Sequence, residues 1–435
     1  MKPNDRPSRS RARSRAARVA AHRARPLATL LVAFGTVASG TAALAAEGGD
    51  AVDGSRFRAL EEGSWYHPVE PEMWAYFGAD DARVFEVLER VEGATGERTD
   101  PELPDTVAAP GPGHWITEFV AAGDEAMARA AEAGDEETRL ETFEEAMAYY
   151  HTAAAPHTND PASVAAGEKA GEAYAAAAAL LPGDFREVEI EHEGKTFGAY
   201  LHLPPGDGPH PVLVFSNGSD MAKETALGYY RAHLRPKGIG FLAIDTPGLG
   251  DSRAFDVVDG RTEKLHVAAI EWAKGQPEID ADNVFMQGVS FGGNAAARVF
   301  LAHPELDLAG VVYTCGPIHQ AFMAPPEAYE DFPAFTMDGV KTRLGLETDA
   351  PMTALAERIR ALSLERAGLL DGEPVRTPLL AINTNDDPVA PLEDMDRLLA
   401  RAEDGRRIVF DLPGHCPPHD TREAIVSAWI LQRLR

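Results

Sequence analysis

Four short stretches carry side chains whose types and spacing could do chemistry together. The first is Gly288-Val289-Ser290-Phe291-Gly292-Gly293, which follows the apolar run Val284-Phe285-Met286 and precedes a helical stretch from about Asn294. A serine between two glycines at a strand-to-helix turn is set up as a nucleophile. The turn is too tight for side chains at 288 and 292, so it holds Ser290 in a strained backbone with its hydroxyl exposed. The helix behind it points its N-terminal dipole and free N–H groups at a developing oxyanion.

A serine hydroxyl needs a base, and the base needs an orienting acid. The apolar run 379–382 ends in Asn383-Thr384-Asn385-Asp386-Asp387-Pro388-Val389-Ala390-Pro391. An acid in such a strand-end turn can reach across to a histidine, and Asp387 is preferred over Asp386. The last apolar run, 408–410, leads to Gly414-His415-Cys416-Pro417-Pro418-His419. His415 is the candidate base and His419 its competitor. The fourth stretch is Ser216-Asn217-Gly218-Ser219-Asp220. There the backbone N–H of Ser219, with that of Phe291, would hold the oxyanion. Gly218 allows the close approach this needs. Cys315 and Cys416 both fall at strand ends near these residues, and their spacing leaves open whether they pair. His319 is either a pocket residue or a structural one.

The elements that must position these groups follow from periodicity. Residues 188–192 alternate, Glu193-Gly194 turns, and 196–203 returns, which reads as an antiparallel hairpin. Apolar runs at 212–215, 241–244, 284–286, 308–313, 379–382 and 408–410 then alternate with helical stretches. That pattern predicts a mostly parallel sheet covered on both faces. Upstream, residues 57–182 read as helical. Val84, Phe85, Leu88 and Val91 share one helical face, and Leu140, Phe143, Met147 and Tyr150 share another. Asp160-Pro161 opens an Ala-rich helix that Pro182-Gly183 stops. Trp65, Tyr66, Trp74 and Trp115 would either wall a pocket or pack between helices. The segment 323–375 reads either as a second lid element or as surface helices.

The chain has 435 residues and a formal net charge of −28, which disfavours a phosphate-backbone partner. Two cysteines are too few for a disulfide-stapled scaffold or a Cys-rich zinc site. Residues 1–46 run basic, apolar, then small, the order of a secretory signal cut after Ala45 or Ala46. Export is the expectation, with a retained membrane anchor as the alternative. Residues 47–56 read as a linker, 57–182 as a helical cap domain and 183–435 as the catalytic domain.

In this order, Gly288 to Asn294, Asp387 and Gly414-His415-Cys416 resemble the α/β-hydrolase superfamily. The helical run ending Leu180-Leu181-Pro182, the hairpin, Asn217-Gly218-Ser219-Asp220-Met221-Ala222-Lys223-Glu224 and Asp245-Thr246-Pro247-Gly248-Leu249-Gly250 narrow the resemblance. They are similar to the branch of fermentation–respiration switch esterases, 2,6-dihydroxypseudooxynicotine hydrolase and fungal polyketide chain-shortening hydrolases. The resemblance implies an α/β-hydrolase fold with an N-terminal helical cap. It also implies hydrolysis of an ester, or of a carbon–carbon bond next to a ketone, in a small-molecule acyl substrate. The stretch after the sixth strand, Cys315 to His319, carries no acid before Glu327, which favours Asp387 as the third member. No cofactor or metal is expected, and no nucleic acid or stable membrane partner after signal cleavage; a homodimer stays open. The competing readings are a non-catalytic ligand-binding protein on the same fold and an exopeptidase.

Overall fold

Along the central strands, successive buried side chains join two different apolar cores. Leu213, Phe215, Phe241 and Phe285 point into one apolar core, and Val212, Val214, Leu242 and Val284 into another. A strand places successive side chains on opposite faces, so a sheet with two apolar faces must be covered on both. A computed structural model describes residues 59–60 and 63–435. The expected signal, its cleavage site and the linker lie outside the described residues. Among the described residues no helix is long and apolar enough to cross a membrane.

Ahead of the sheet, the described residues form the helices α1 (Pro71–Tyr76), α2 (Asp81–Glu92), α3 (Trp115–Glu132), α4 (Glu136–Ala154) and α5 (Pro161–Ala178). Capping side chains start several of them. The carboxylates of Asp80, Asp135 and Asp160 accept from the first-turn N–H groups of Arg83, Thr138 and Ala162. The strands that follow are β1 (Asp184–His192), β2 (Lys195–Leu203), β3 (His210–Ser216), β4 (Gly240–Ile244), β5 (Ile279–Val289), β6 (Gly310–Thr314), β7 (Leu379–Asp386) and β8 (Gly405–Pro413). Their order in the sheet is β1-β2-β4-β3-β5-β6-β7-β8. The β1–β2 and β2–β4 pairs are antiparallel and the rest are parallel. The interleaved helices are α6 (Lys264–Lys274), α7 (Phe291–Ala302), α8 (Ala334–Arg343), α9 (Met352–Ile359), α10 (Leu392–Leu399) and α11 (His419–Leu431).

The N-terminal helices lie against one face of the sheet and share its core. Phe119, Tyr149 and Tyr174 belong to the same apolar cluster as Phe215, Phe241 and Phe285. Tyr174 of α5 stacks on Tyr200 of β2 with ring centroids 4.3 Å apart, and its hydroxyl lies 2.7 Å from Nε2 of His202. Trp74 and Trp115 are buried in this packing, and Trp115 donates its indole N–H to the carbonyl of Thr152. They are therefore packing residues rather than a pocket wall. The segment after β6 forms a third apolar cluster, in which Phe322, Met337 and Leu355 enclose Phe291. That segment is a second covering element, set directly over the turn that carries Ser290.

Candidate active site

β5 ends at Val289 and α7 begins at Phe291, leaving Ser290 alone at the turn with φ 52° and ψ −117°. The helix thus starts three residues earlier than expected, because the strained serine leads straight into its first turn. The glycines are required by contact. A Cβ at Gly288 would strike the carbonyl oxygen of Gly292, and a Cβ at Gly292 would lie 2.6 Å from the carbonyl oxygen of Asn217. That close approach is fixed by a hydrogen bond, from the Gly292 N–H to the Asn217 carbonyl at 3.1 Å.

Three of the expected residues meet here. Ser290 Oγ lies 2.8 Å from Nε2 of His415, and Nδ1 of His415 lies 2.9 Å from Oδ2 of Asp387. The Asp387 side chain is fully buried, whereas that of His415 is 26% exposed, so solvent and small molecules reach the ring but not the acid. The turn built by Pro388 and Pro391 supplies two further donors to this carboxylate, the N–H groups of Val389 and Ala390 at 2.8 and 2.9 Å. An acceptor-only carboxylate on Nδ1 fixes the tautomer, leaving Nε2 to accept the serine proton. The rivals are elsewhere. Asp386 and Glu327 are exposed. His419 lies 2.9 Å from Arg422, and His319 lies 2.8 Å from the hydroxyl of Ser363. His319 is thus structural.

The two backbone groups expected to hold an oxyanion lie at this turn and in the loop after β3. The backbone N–H groups of Ser219 and Phe291 have no acceptor among the described residues. A Cβ at Gly218 would stand 3.3 Å from Cβ of Ser290, so the loop after β3 lies beside the nucleophile.

With this geometry in view, the comparisons with known proteins become specific. A family model described as esterase FrsA-like matches residues 49–435. The chain belongs to the FrsA-like esterase family. The esterase FrsA of Photobacterium profundum is 30% identical over 378 residues, covering 86% of this chain and 89% of that protein. That of Salmonella typhimurium is 30% identical over 372 residues, covering 85% and 89%. Among solved structures, 2,6-dihydroxy-pseudo-oxynicotine hydrolase superposes with a TM-score of 0.67 at 18% identity, covering 83% of this chain and 95% of that one. AbyA5 superposes at 0.60 and 21%, covering 82% and 94%. These last two likenesses are of fold. The protein is a hydrolase of the α/β type.

Two features of this FrsA-like esterase were not legible beforehand. Arg343, at the end of α8, is wholly buried and donates to four carbonyls: Ser219 at 2.9 Å, Pro156 at 2.9 Å, His157 at 3.0 Å and Gly248 at 2.6 Å. Burial lowers its pKa to about 10, which still leaves it charged at neutral pH. It fixes the loop of Ser219 from behind and ties it to the helical layer. Lys223 is buried in the same loop, with Nζ 3.0 Å from Glu224, 3.1 Å from Asp245 and 2.7 Å from Asp251. These acids hold its pKa well above the usual value despite desolvation, so it is a fixed structural cation.

Cys315, just past β6, is disulfide-bonded to Cys416, with Cα atoms 5.2 Å apart. The bond anchors the loop of His415 to the sheet. Cys315, His415 and Cys416 are also the one grouping of three possible metal ligands among the described residues. Joined sulfurs offer no thiolate, and Nε2 of His415 faces Ser290, so the group does not fit a metal. Reducing the disulfide should free the base loop. We expect turnover to fall on the order of 10- to 100-fold, because small misplacements of a catalytic group carry costs of that size. Assays before and after reduction, with thiol titration to show that both sulfurs are free, would read this. Unchanged turnover by the fully reduced protein would count against an anchoring role.

Proposed function

We propose that the protein is a serine esterase acting through an acyl-enzyme on Ser290. The observation that carries this reading is the continuous line from a strained Ser290 through His415 to a buried Asp387. In the reaction, Ser290 Oγ bonds to the carbonyl carbon as its proton passes to Nε2 of His415. The carbonyl oxygen takes the electron pair and accepts from the N–H groups of Ser219 and Phe291. The carbonyl reforms, the bond to the leaving alkoxide breaks, and His415 returns the proton to that alkoxide. Water then gives a proton to His415 and attacks the acyl group, releasing the acid and restoring Ser290. Arg343 acts through the Ser219 loop, as a positioning residue. The helical layer, in this reading, roofs the acyl pocket.

A fluorophosphonate probe tests the proposal. Covalent labelling mapped to Ser290, with turnover of short p-nitrophenyl esters, is the expected result. An unlabelled protein that turns over no ester would favour a ligand-binding role on the same fold. A 1,3-diketone belongs in the panel, because its cleavage would extend the same acyl-enzyme to a carbon–carbon bond.

A further inference from the structure

Two cysteines converge on the catalytic base from different elements. Cys315 lies just past β6, where its N–H donates to the carbonyl of Ile382 in β7 at 2.9 Å. Cys416 follows His415 directly, and its Sγ lies 3.6 Å from Nε2 of that histidine. Both cysteines hold positive φ, 43° and 67°, a conformation costly for a residue with a Cβ. One donor atom from each of Cys315, His415 and Cys416 falls within 4.8 Å of the other two. While the sulfurs are joined they offer no thiolate, and the group holds no metal.

Breaking the bond changes that donor set. A dithiol reductant gives up two electrons and two protons, leaves as its own disulfide, and the protein gains two thiols. Each thiol then loses a proton on binding a thiophilic cation. In a tetrahedral zinc site the usual bond lengths put a thiolate and an imidazole nitrogen about 3.6 Å apart. Cys416 Sγ and His415 Nε2 already stand at 3.6 Å. Two thiolates on one zinc stand about 3.8 Å apart, which side-chain rotation supplies from Cα atoms separated by 5.2 Å. The histidine is prepared as well. Metal-bound imidazoles almost always pass their second N–H to a carboxylate or carbonyl, which fixes the ring. Nδ1 of His415 lies 2.9 Å from Oδ2 of the buried Asp387, which leaves Nε2 as the free donor. Ser290 Oγ, 2.8 Å from Nε2, or a water can complete the four. Cys416 and His415 are only half-buried, so both a reductant and an ion reach them.

We propose that opening the Cys315–Cys416 bond creates a site for a zinc-class cation, held by Cys315, His415 and Cys416, and that the bound ion switches the active site off. The ion takes the Nε2 lone pair that would accept the Ser290 proton. The effect on turnover rests on the serine-esterase reading, whereas the binding does not. The ion re-fastens the loop that reduction loosens, but with the base withdrawn. The disulfide then has a second role beside anchoring: it keeps thiophilic cations off His415.

The test uses the full-length protein, reduced with a phosphine, stripped with a chelator and freed of both, beside its oxidised form. Co²⁺ is the probe, because its thiolate complexes absorb in the near ultraviolet and its carboxylate or imidazole complexes do not. The reduced protein should take up one Co²⁺ with that absorption, and Zn²⁺ should displace it. A slight excess of Zn²⁺ should lower the remaining ester turnover by about 100-fold or more, the scale of a lost general base, and a chelator should restore it. The oxidised protein should show neither effect. Cys315→Ser keeps Cys416 and His415 but should bind Co²⁺ about 100-fold more weakly, since loss of even an outer partner can cost that much. No thiolate absorption from a protein with two titratable thiols would overturn the proposal. So would loss of the fold on reduction, read by circular dichroism, because the three ligands would no longer meet. Equal inhibition of the oxidised and reduced protein by Zn²⁺ would overturn it too. Thiolate-bound Co²⁺ in a protein that turns over no ester in either state would uphold the site and count against the Ser290 reading alone.

Discussion

Ser290→Ala is expected to keep the fold and to lose turnover on the order of 10⁵- to 10⁶-fold, the scale found when the nucleophile of a serine triad is removed. Among the described residues the side chain makes one polar contact, to the partly exposed His415, so truncation leaves no buried group there unsatisfied. Ser290 sits at φ 52°, a conformation costly for any residue with a Cβ, and alanine bears about the same steric cost as serine. Stability should therefore change little while chemistry collapses. Purified variant and parent, compared by thermal unfolding and by ester hydrolysis, give both readouts. A variant retaining more than about a tenth of the rate would show that Ser290 is not the nucleophile.

Asp387→Asn is expected to cost about 10⁴ in turnover, with Ser290 still present and the fold kept. The amide nitrogen can donate where only acceptors are wanted, and the imidazole then tends to turn its proton towards Ser290. Asp386→Asn should stay within a few-fold of the parent, because Asp386 is exposed and has no side-chain hydrogen bond among the described residues. The adjacent pair makes an internal control, with equal charge change and nearly equal position. Crippling by Asp386→Asn, or by Glu327→Gln, would mean that a different acid orients His415.

What could be read from sequence was what neighbouring residues decide. The elbow is written in six consecutive residues, because its constraint is the steric clash of Gly288 with Gly292. Asp160 capping a Pro161 helix is equally local. The preference for Asp387 over Asp386 has its physical reason in the turn that follows, where the N–H groups of Val389 and Ala390 hold the Asp387 carboxylate. What was hidden depends on distant chain. Arg343 reads as an ordinary surface cation until carbonyls from residues 156, 157, 219 and 248 surround it. The Cys315–Cys416 bond spans a sequence separation of 101, and spacing alone could not decide it.

The shared core of that layer has a consequence for motion. Hinged lids separate from their enzymes across polar, weakly packed interfaces. Here Tyr174, Tyr149 and Phe119 are packed into one continuous apolar mass with Phe215 and Phe241. Lifting the helices away as a rigid body would wet that whole surface, and excising them would leave the strands with a large bare patch prone to aggregation. The sheet half is therefore not a free-standing module, and it would not be expected to hold its shape if cut loose. Opening the site by lifting the helical layer is therefore disfavoured. With one apolar core between them, the two layers are expected to unfold together.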